Sequence, residues 1–154
     1  MTPLEKLGKW RKFRQHLVKE GRCPMQNASQ TLAIWRDLTA RHFLIGGDWG
    51  PENDLHSHEY RIQIEIQRSK LDEHGFIVDI DALTKEFEKI INTYRGAILN
   101  DLDAFHGLNP SIEHLSRIIS QQIEPVLAPF KLDGYSVKVW EDDIAWTRYE
   151  VIST

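Results

Sequence analysis

Apolar residues along the chain recur with two different periods, and the change of period marks out the elements. Leu4, Leu7, Trp10, Phe13 and Leu17 step by three or four within a run of helix formers, which predicts a short amphipathic helix over 3–20. Gly21 and the Pro24-Met25-Gln26-Asn27 stretch end it. Residues 31–43 read as a strand. Gly46-Gly47-Asp48-Trp49-Gly50-Pro51 then reads as a loop, because three glycines and a proline in six residues suit neither regular element. Residues 60–68 alternate apolar and polar with period two, the strongest strand signal in the chain.

A turn follows at 72–75, then a short extended piece at 76–78. Asp79 or Asp81 can cap a helix whose apolar positions Leu83, Phe87, Ile90, Ile91 and Tyr94 fit a 3.6 period. Asn109 or Ser111 can cap a second helix, which runs through Leu115, Ile118, Ile119 and Ile123 to Pro125. Residues 135–141 and 145–152 read as two strands joined at Asp142-Asp143. Strands and helices come in groups rather than in alternation, so the expected class is α+β with an antiparallel sheet.

Composition narrows the class further. With 154 residues, 41% of them hydrophobic and 27% charged, the chain suits one soluble globular domain and not a disordered tail. The single Cys23 excludes an internal disulfide and a cysteine-based zinc site, so a metal would need other ligands. No apolar run approaches the ~20 residues of a membrane helix. The charged N-terminus does not resemble a secretory leader, so the expected location is cytoplasmic. The net charge of −4 is unevenly spread: residues 1–22 carry seven Lys/Arg against Glu5 and Glu20, a balance of +5, and the rest of the chain sums to −9. Residues 1–30 therefore read as a basic helical extension with its linker, and 31–154 as the body. Such an arm could contact nucleic acid, but no groove-reading motif or stacking platform accompanies it, so docking on a neighbouring subunit is the preferred reading.

His56 and His58 stand two apart at the entrance to the strongest strand, which places both imidazoles on one face. His42, at the end of the preceding strand, can supply a third nitrogen if the two strands pair as a hairpin around the Gly-rich loop. Three histidines with an open fourth position are the ligand set of a catalytic zinc, which polarises substrate oxygens and lowers the pKa of bound water. His16, His74, His106 and His114 have no comparable spacing.

The run Leu55-His56-Ser57-His58-Glu59-Tyr60 resembles the metal-binding signature of the 6-pyruvoyltetrahydropterin synthase and 6-carboxytetrahydropterin synthase family. Thr39-Ala40-Arg41-His42, the segment from Asp72 to Ile80, Leu99-Asn100-Asp101 with Asn109-Pro110-Ser111-Ile112-Glu113, and Val139-Trp140-Glu141 agree with it in order. The resemblance implies a tunnelling fold, with a four-stranded antiparallel sheet and two helices packed on one face. It implies zinc on His42, His56 and His58, and subunits closing into trimers or hexamers with a pterin pocket between them. By position it makes Glu141 the anchor of the pterin ring's 2-amino edge and gives Glu113 a supporting part in the pocket.

Two departures qualify that picture. The family's proton-abstracting cysteine, about four residues before the first histidine of the pair, is replaced here by Glu52. A carboxylate beside zinc can also serve as base, and this chain thereby resembles a variant of the family that cleaves the pterin side chain to 6-hydroxymethyl-dihydropterin. The family's Asp-His pair falls on Arg95-Gly96, neither of which relays protons at neutral pH, with Asp103 and His106 downstream as substitutes. The expectation is a zinc-dependent enzyme acting on the C6 side chain of dihydroneopterin triphosphate. The alternative is a non-catalytic homologue that binds a pterin or purine-like ring.

Overall fold

The computed structural model describes residues 28–153, so the helix expected over 3–20 lies outside the described residues. The body is a meander of four antiparallel strands, β1 (Gln30–His42), β2 (His56–Arg68), β3 (Gly134–Glu141) and β4 (Ala145–Ile152), in spatial order β1-β2-β3-β4. Helices α1 (Ile80–Tyr94) and α2 (Ile112–Leu127) are inserted between β2 and β3 and cover one face of the sheet. This is the expected α+β arrangement.

The period-two pattern places Tyr60, Ile62, Ile64 and Ile66 of β2 on the helix-covered face, beside Leu38 and Ala40 of β1 and Val137 and Val139 of β3. The helices answer with the stripes predicted for them: Leu83, Phe87, Ile91 and Tyr94 from α1, and Leu115, Ile119 and Ile123 from α2. All of these side chains are buried, at roughly 1.5–3 kcal/mol apiece for a large aliphatic or aromatic group. Asp79 is the residue that caps α1, accepting from the amides of Asp81 and Ala82 at 2.9 and 3.1 Å. Ser111 caps α2, accepting from the His114 amide at 3.3 Å. Pro125 does not end α2, which continues to Leu127. A proline so close to the last turn removes only one late hydrogen bond.

The extended piece expected at 76–78 forms no strand. Asp72 instead folds the segment into a turn by accepting from the amides of His74 and Phe76 at 3.0 and 2.8 Å. Those two bonds hold the Asp72 carboxyl below the usual carboxylate range, with the Phe76 bond the larger cause. Ile77 and Val78 then enter the core as loop residues. β2 also begins four residues earlier than its apolar alternation suggests, at His56 rather than Tyr60. The alternation continues through the two histidines, which occupy core-facing positions with polar rings.

After α1 the chain turns at Gly96, whose φ of +71° a residue with a side chain would adopt only at a cost. The Gly96 amide donates to the Thr39 carbonyl at 2.8 Å and the Arg41 amide to the Ala97 carbonyl at 2.9 Å. Residues 96–98 thereby cover the end of the β1 edge nearest His42.

Candidate functional site

The site lies where the buried stripe of the sheet runs out of hydrocarbon. On β1 the inward positions are Leu38, Ala40, then His42; on β2 they are His56 and His58, then Tyr60. The register sets His42 opposite His56 and Ala40 opposite His58. All three imidazole pairs therefore meet, with ring centroids 4.5 Å (His42–His56), 5.0 Å (His42–His58) and 4.8 Å (His56–His58) apart. His42 is 3% exposed.

Each ring is held from behind through Nδ1. His42 Nδ1 faces the Pro110 carbonyl at 3.0 Å, and His56 Nδ1 faces the Asp54 carbonyl at 2.7 Å. His58 Nδ1 faces the Asp142 carboxylate at 2.8 Å. All three partners are acceptors, so each Nδ1 carries the proton and each Nε2 presents a lone pair to the common centre. Burial, then the neighbouring imidazoles, push His42 below its ordinary pKa, which favours this neutral form.

Glu52 completes the group. It lies in a 3-10 turn, Gly50–Asn53, with its carboxylate Oε2 3.1 Å from His56 Nε2. That approach lacks hydrogen-bond geometry, and the Nε2 atoms of both His42 and His56 are buried without a partner. One donor atom from each of His42, Glu52, His56 and His58 lies within 4.8 Å of the others, the one such cluster among the described residues. Lone pairs from three neutral imidazoles and a carboxylate turned towards one point repel one another unless a cation lies between them. The donor set therefore fits a transition-metal ion.

The loop that carries Glu52 is held by three asparagines. Asn100 accepts from the Phe43 amide at 3.0 Å and donates to its carbonyl at 2.9 Å. Asn109 does the same for Ile45, at 2.7 and 3.2 Å. Asn53 accepts from the Trp49 amide at 2.7 Å and donates to the Leu44 and Gly47 carbonyls at 2.9 and 3.1 Å. The Leu44 amide also donates to the Glu52 carbonyl at 2.8 Å. Asn100 and Asn109 thus tie the segments after α1 to the loop after β1.

The matched sequence profile, 6-pyruvoyl tetrahydropterin synthase, covers residues 31–151. The chain belongs to the 6-pyruvoyl tetrahydropterin synthase family. No curated protein sequence matches it. Among solved structures, 6-pyruvoyl tetrahydropterin synthase from Caenorhabditis elegans superposes with a TM-score of 0.69 at 16% identity, covering 80% of this chain and 96% of that one. The Plasmodium falciparum enzyme follows at 0.67 and 14%, covering 82% and 100%. An alanine variant of the catalytic glutamate of the Plasmodium vivax enzyme gives 0.65 and 13%, with the same coverages of 82% and 100%. At these identities the likeness is one of fold.

Glu141, at the end of β3, does not stand apart from the metal donors. Its Oε1 is 3.5 Å from His58 Nε2 and accepts from the Tyr60 hydroxyl at 3.4 Å. Burial, followed by Glu141 itself, raises the Tyr60 pKa well above its ordinary value and keeps the hydroxyl a donor. Asp142, which the sequence presented only as part of a turn, is held ionised by His58 and by the Glu59 amide. Glu113 is exposed in the first turn of α2, three residues beyond the Pro110 carbonyl that holds His42.

Arg95 and Gly96, at the family's Asp-His positions, are committed to the fold. Arg95 Nη1 donates to the Asp37 carbonyl at 3.1 Å and Nη2 to Glu88 at 3.2 Å. The substitutes named from the sequence, Asp103 and His106, are both exposed and take no part in the histidine cluster. A cleft of about 380 Å³ opens beside Asp142, but its charged lining is Asp37, Glu59, Asp142, Asp143 and Arg61, and none of the three histidines lines it.

Proposed function

We propose that the protein is a cytoplasmic, zinc-dependent enzyme acting on the C6 side chain of dihydroneopterin triphosphate. The observation that carries this reading is the convergence of three Nε2 lone pairs and the Glu52 carboxylate on one point, in a chain of this family. Zinc bound there would polarise the side-chain hydroxyls and make their protons, and those on the adjacent carbon, more acidic. Glu52 takes the proton. Its counterpart in function is the catalytic glutamate of the Plasmodium vivax enzyme.

Glu141 is assigned to the 2-amino edge of the pterin ring, where its carboxylate accepts the paired N–H donors while Tyr60 donates to it from the buried side. Glu113 keeps a supporting part in the pocket, within its own subunit or across a subunit contact. A trimeric or hexameric assembly, with the pocket completed by a neighbour, is part of the proposal.

Metal analysis and product identification after incubation with dihydroneopterin triphosphate test the reading together. The expected result is about one zinc per chain and a pterin product altered at C6, with turnover abolished in Glu52→Ala. Absence of both metal and product would sink it. A second reading, a pterin- or purine-binding homologue without the reaction, is favoured by the structural commitment of Arg95 and Gly96 where the family has its Asp-His pair. On that reading Glu52→Ala leaves ligand binding unchanged and no product forms with either protein.

A further inference from the structure

We infer that Glu52 is the fourth metal ligand of the resting site, so that the site is closed without substrate and opens only when a chelating substrate displaces this carboxylate. The inference rests on the metal-binding part of the proposed function and goes beyond the base role given to Glu52 there.

The donors of a tetrahedral zinc with bonds of ~2.0–2.2 Å stand roughly 3.3–3.6 Å apart. Glu52 Oε2 is already 3.1 Å from His56 Nε2, and the four donors lie within 4.8 Å of one another, so small side-chain rotations bring all of them onto one ion. The Glu52 carboxylate has no hydrogen-bond donor among the described residues. Its Oε2 is turned towards His56 Nε2, a buried nitrogen with no hydrogen-bond partner.

Exposure separates the four donors in a way that fits exchange at one position. The Glu52 side chain is 51% exposed, against 24% for His56 and 19% for His58, and His42 is buried. The three imidazoles are braced by Pro110, Asp54 and Asp142, whereas Glu52 is braced only through its backbone. Displacement therefore needs rotation of one side chain on the solvent side, while the Asn53 bonds keep the turn in place. A substrate offering two adjacent hydroxyls gains by chelation what a single-atom ligand cannot. The carboxylate released from the metal is then beside the bound side chain and free to act as base.

Cobalt(II) is the probe, loaded into the metal-free full chain and into Glu52→Ala and Glu52→Gln, with visible absorption as the readout. The expected results are a four-coordinate spectrum for the wild type that millimolar azide does not shift, and azide-sensitive spectra for both variants. Cobalt affinity, measured by chelator competition, is expected to fall at least tenfold in Glu52→Ala. Unchanged thermal unfolding of the metal-free variants shows that the loop is intact. If wild type and variants hold cobalt equally and bind azide equally, Glu52 is no ligand and this inference fails while the metal site stands. If the wild type binds no cobalt, the inference and the metal-dependent reading fail together.

Discussion

Asp142 shows what a single residue behind a ligand does. It accepts from His58 Nδ1 at 2.8 Å and from the Glu59 amide at 3.2 Å, with its own backbone at φ +48°. The carboxylate fixes the His58 tautomer and makes the ring more basic towards a metal. Asp142→Asn keeps an acceptor and tolerates the left-handed backbone, so metal affinity should fall only slightly. Asp142→Ala removes both hydrogen bonds and adds backbone strain; its metal affinity should fall about 10–100-fold, as measured by chelator competition. Equal losses in the two variants would mean that the charge, not the acceptor, orients His58. The histidine pair was legible as chemistry in the sequence, because spacing alone sets two imidazoles on one strand face, and Glu52 through the family resemblance. Asp142 was not, because an acid in a turn looks the same whether it faces water or a ligand 84 residues away.

At the scale of elements, the sheet supplies the histidines and the loop after β1 supplies the carboxylate, so the junction between them is where stability and function meet. Asn100 makes two backbone hydrogen bonds to Phe43 and is half-buried. Asn100→Ala leaves an amide and a carbonyl to find other partners and should cost about 1–3 kcal/mol, read by urea denaturation of the metal-free protein. Metal affinity should fall with it, since the loop carries Glu52. A comparable pairing joins α1 to β1: Arg36 Nε and Arg95 Nη2 both donate to Glu88, at 2.5 and 3.2 Å. The Arg36 bond is the main reason the Glu88 pKa lies below its ordinary 4.5.

Because Glu88 binds its proton less readily when folded, its contribution to stability is present above about pH 4.5 and disappears as pH falls through the lowered folded value. Glu88→Gln should therefore be less stable than wild type near neutrality and indistinguishable from it in strong acid. The difference will be small, since the side chain is 37% exposed and solvent screens the pair. Denaturation curves at a series of pH values check this. A gap that widened towards acid would contradict the assigned sign.

On the scale of the whole molecule, the helices cover one face of the sheet and leave the other, with Trp35, Trp146 and the Lys138 ammonium set 3.9 Å over the Trp146 ring, outside the core. β4 is an edge strand whose outer row of backbone groups has no partner among the described residues, and Ile152 at its end is 72% exposed. An open edge of this kind invites pairing with another chain. If the proposed ring of subunits closes through this edge, Ile152→Lys should shift sedimentation towards monomer with little change in the fold. Wild-type protein that sediments as a monomer would count against the shared pocket. Removal of residues 1–27 should leave metal and pterin binding intact; loss of salt-sensitive nucleic-acid binding on that truncation would instead support a nucleic-acid arm.

The hairpin partners His42, His56 and His58 and the α+β order could be read from the chain alone, because strand periodicity, caps and turn residues act between near neighbours. The same local rules misplaced residues 76–78, where Asp72 closes a turn, and stopped β2 short of its histidines, where polar rings interrupt an apolar count. Long-range placement decided the rest. Only the packed structure turns three Nε2 lone pairs and Glu52 onto one point, sets Glu141 beside His58, and commits Arg95 to Asp37 and Glu88. Those relations join residues up to 83 positions apart, His58 and Glu141, and sequence spacing carries no information about distances that the sheet register and the covering helices create.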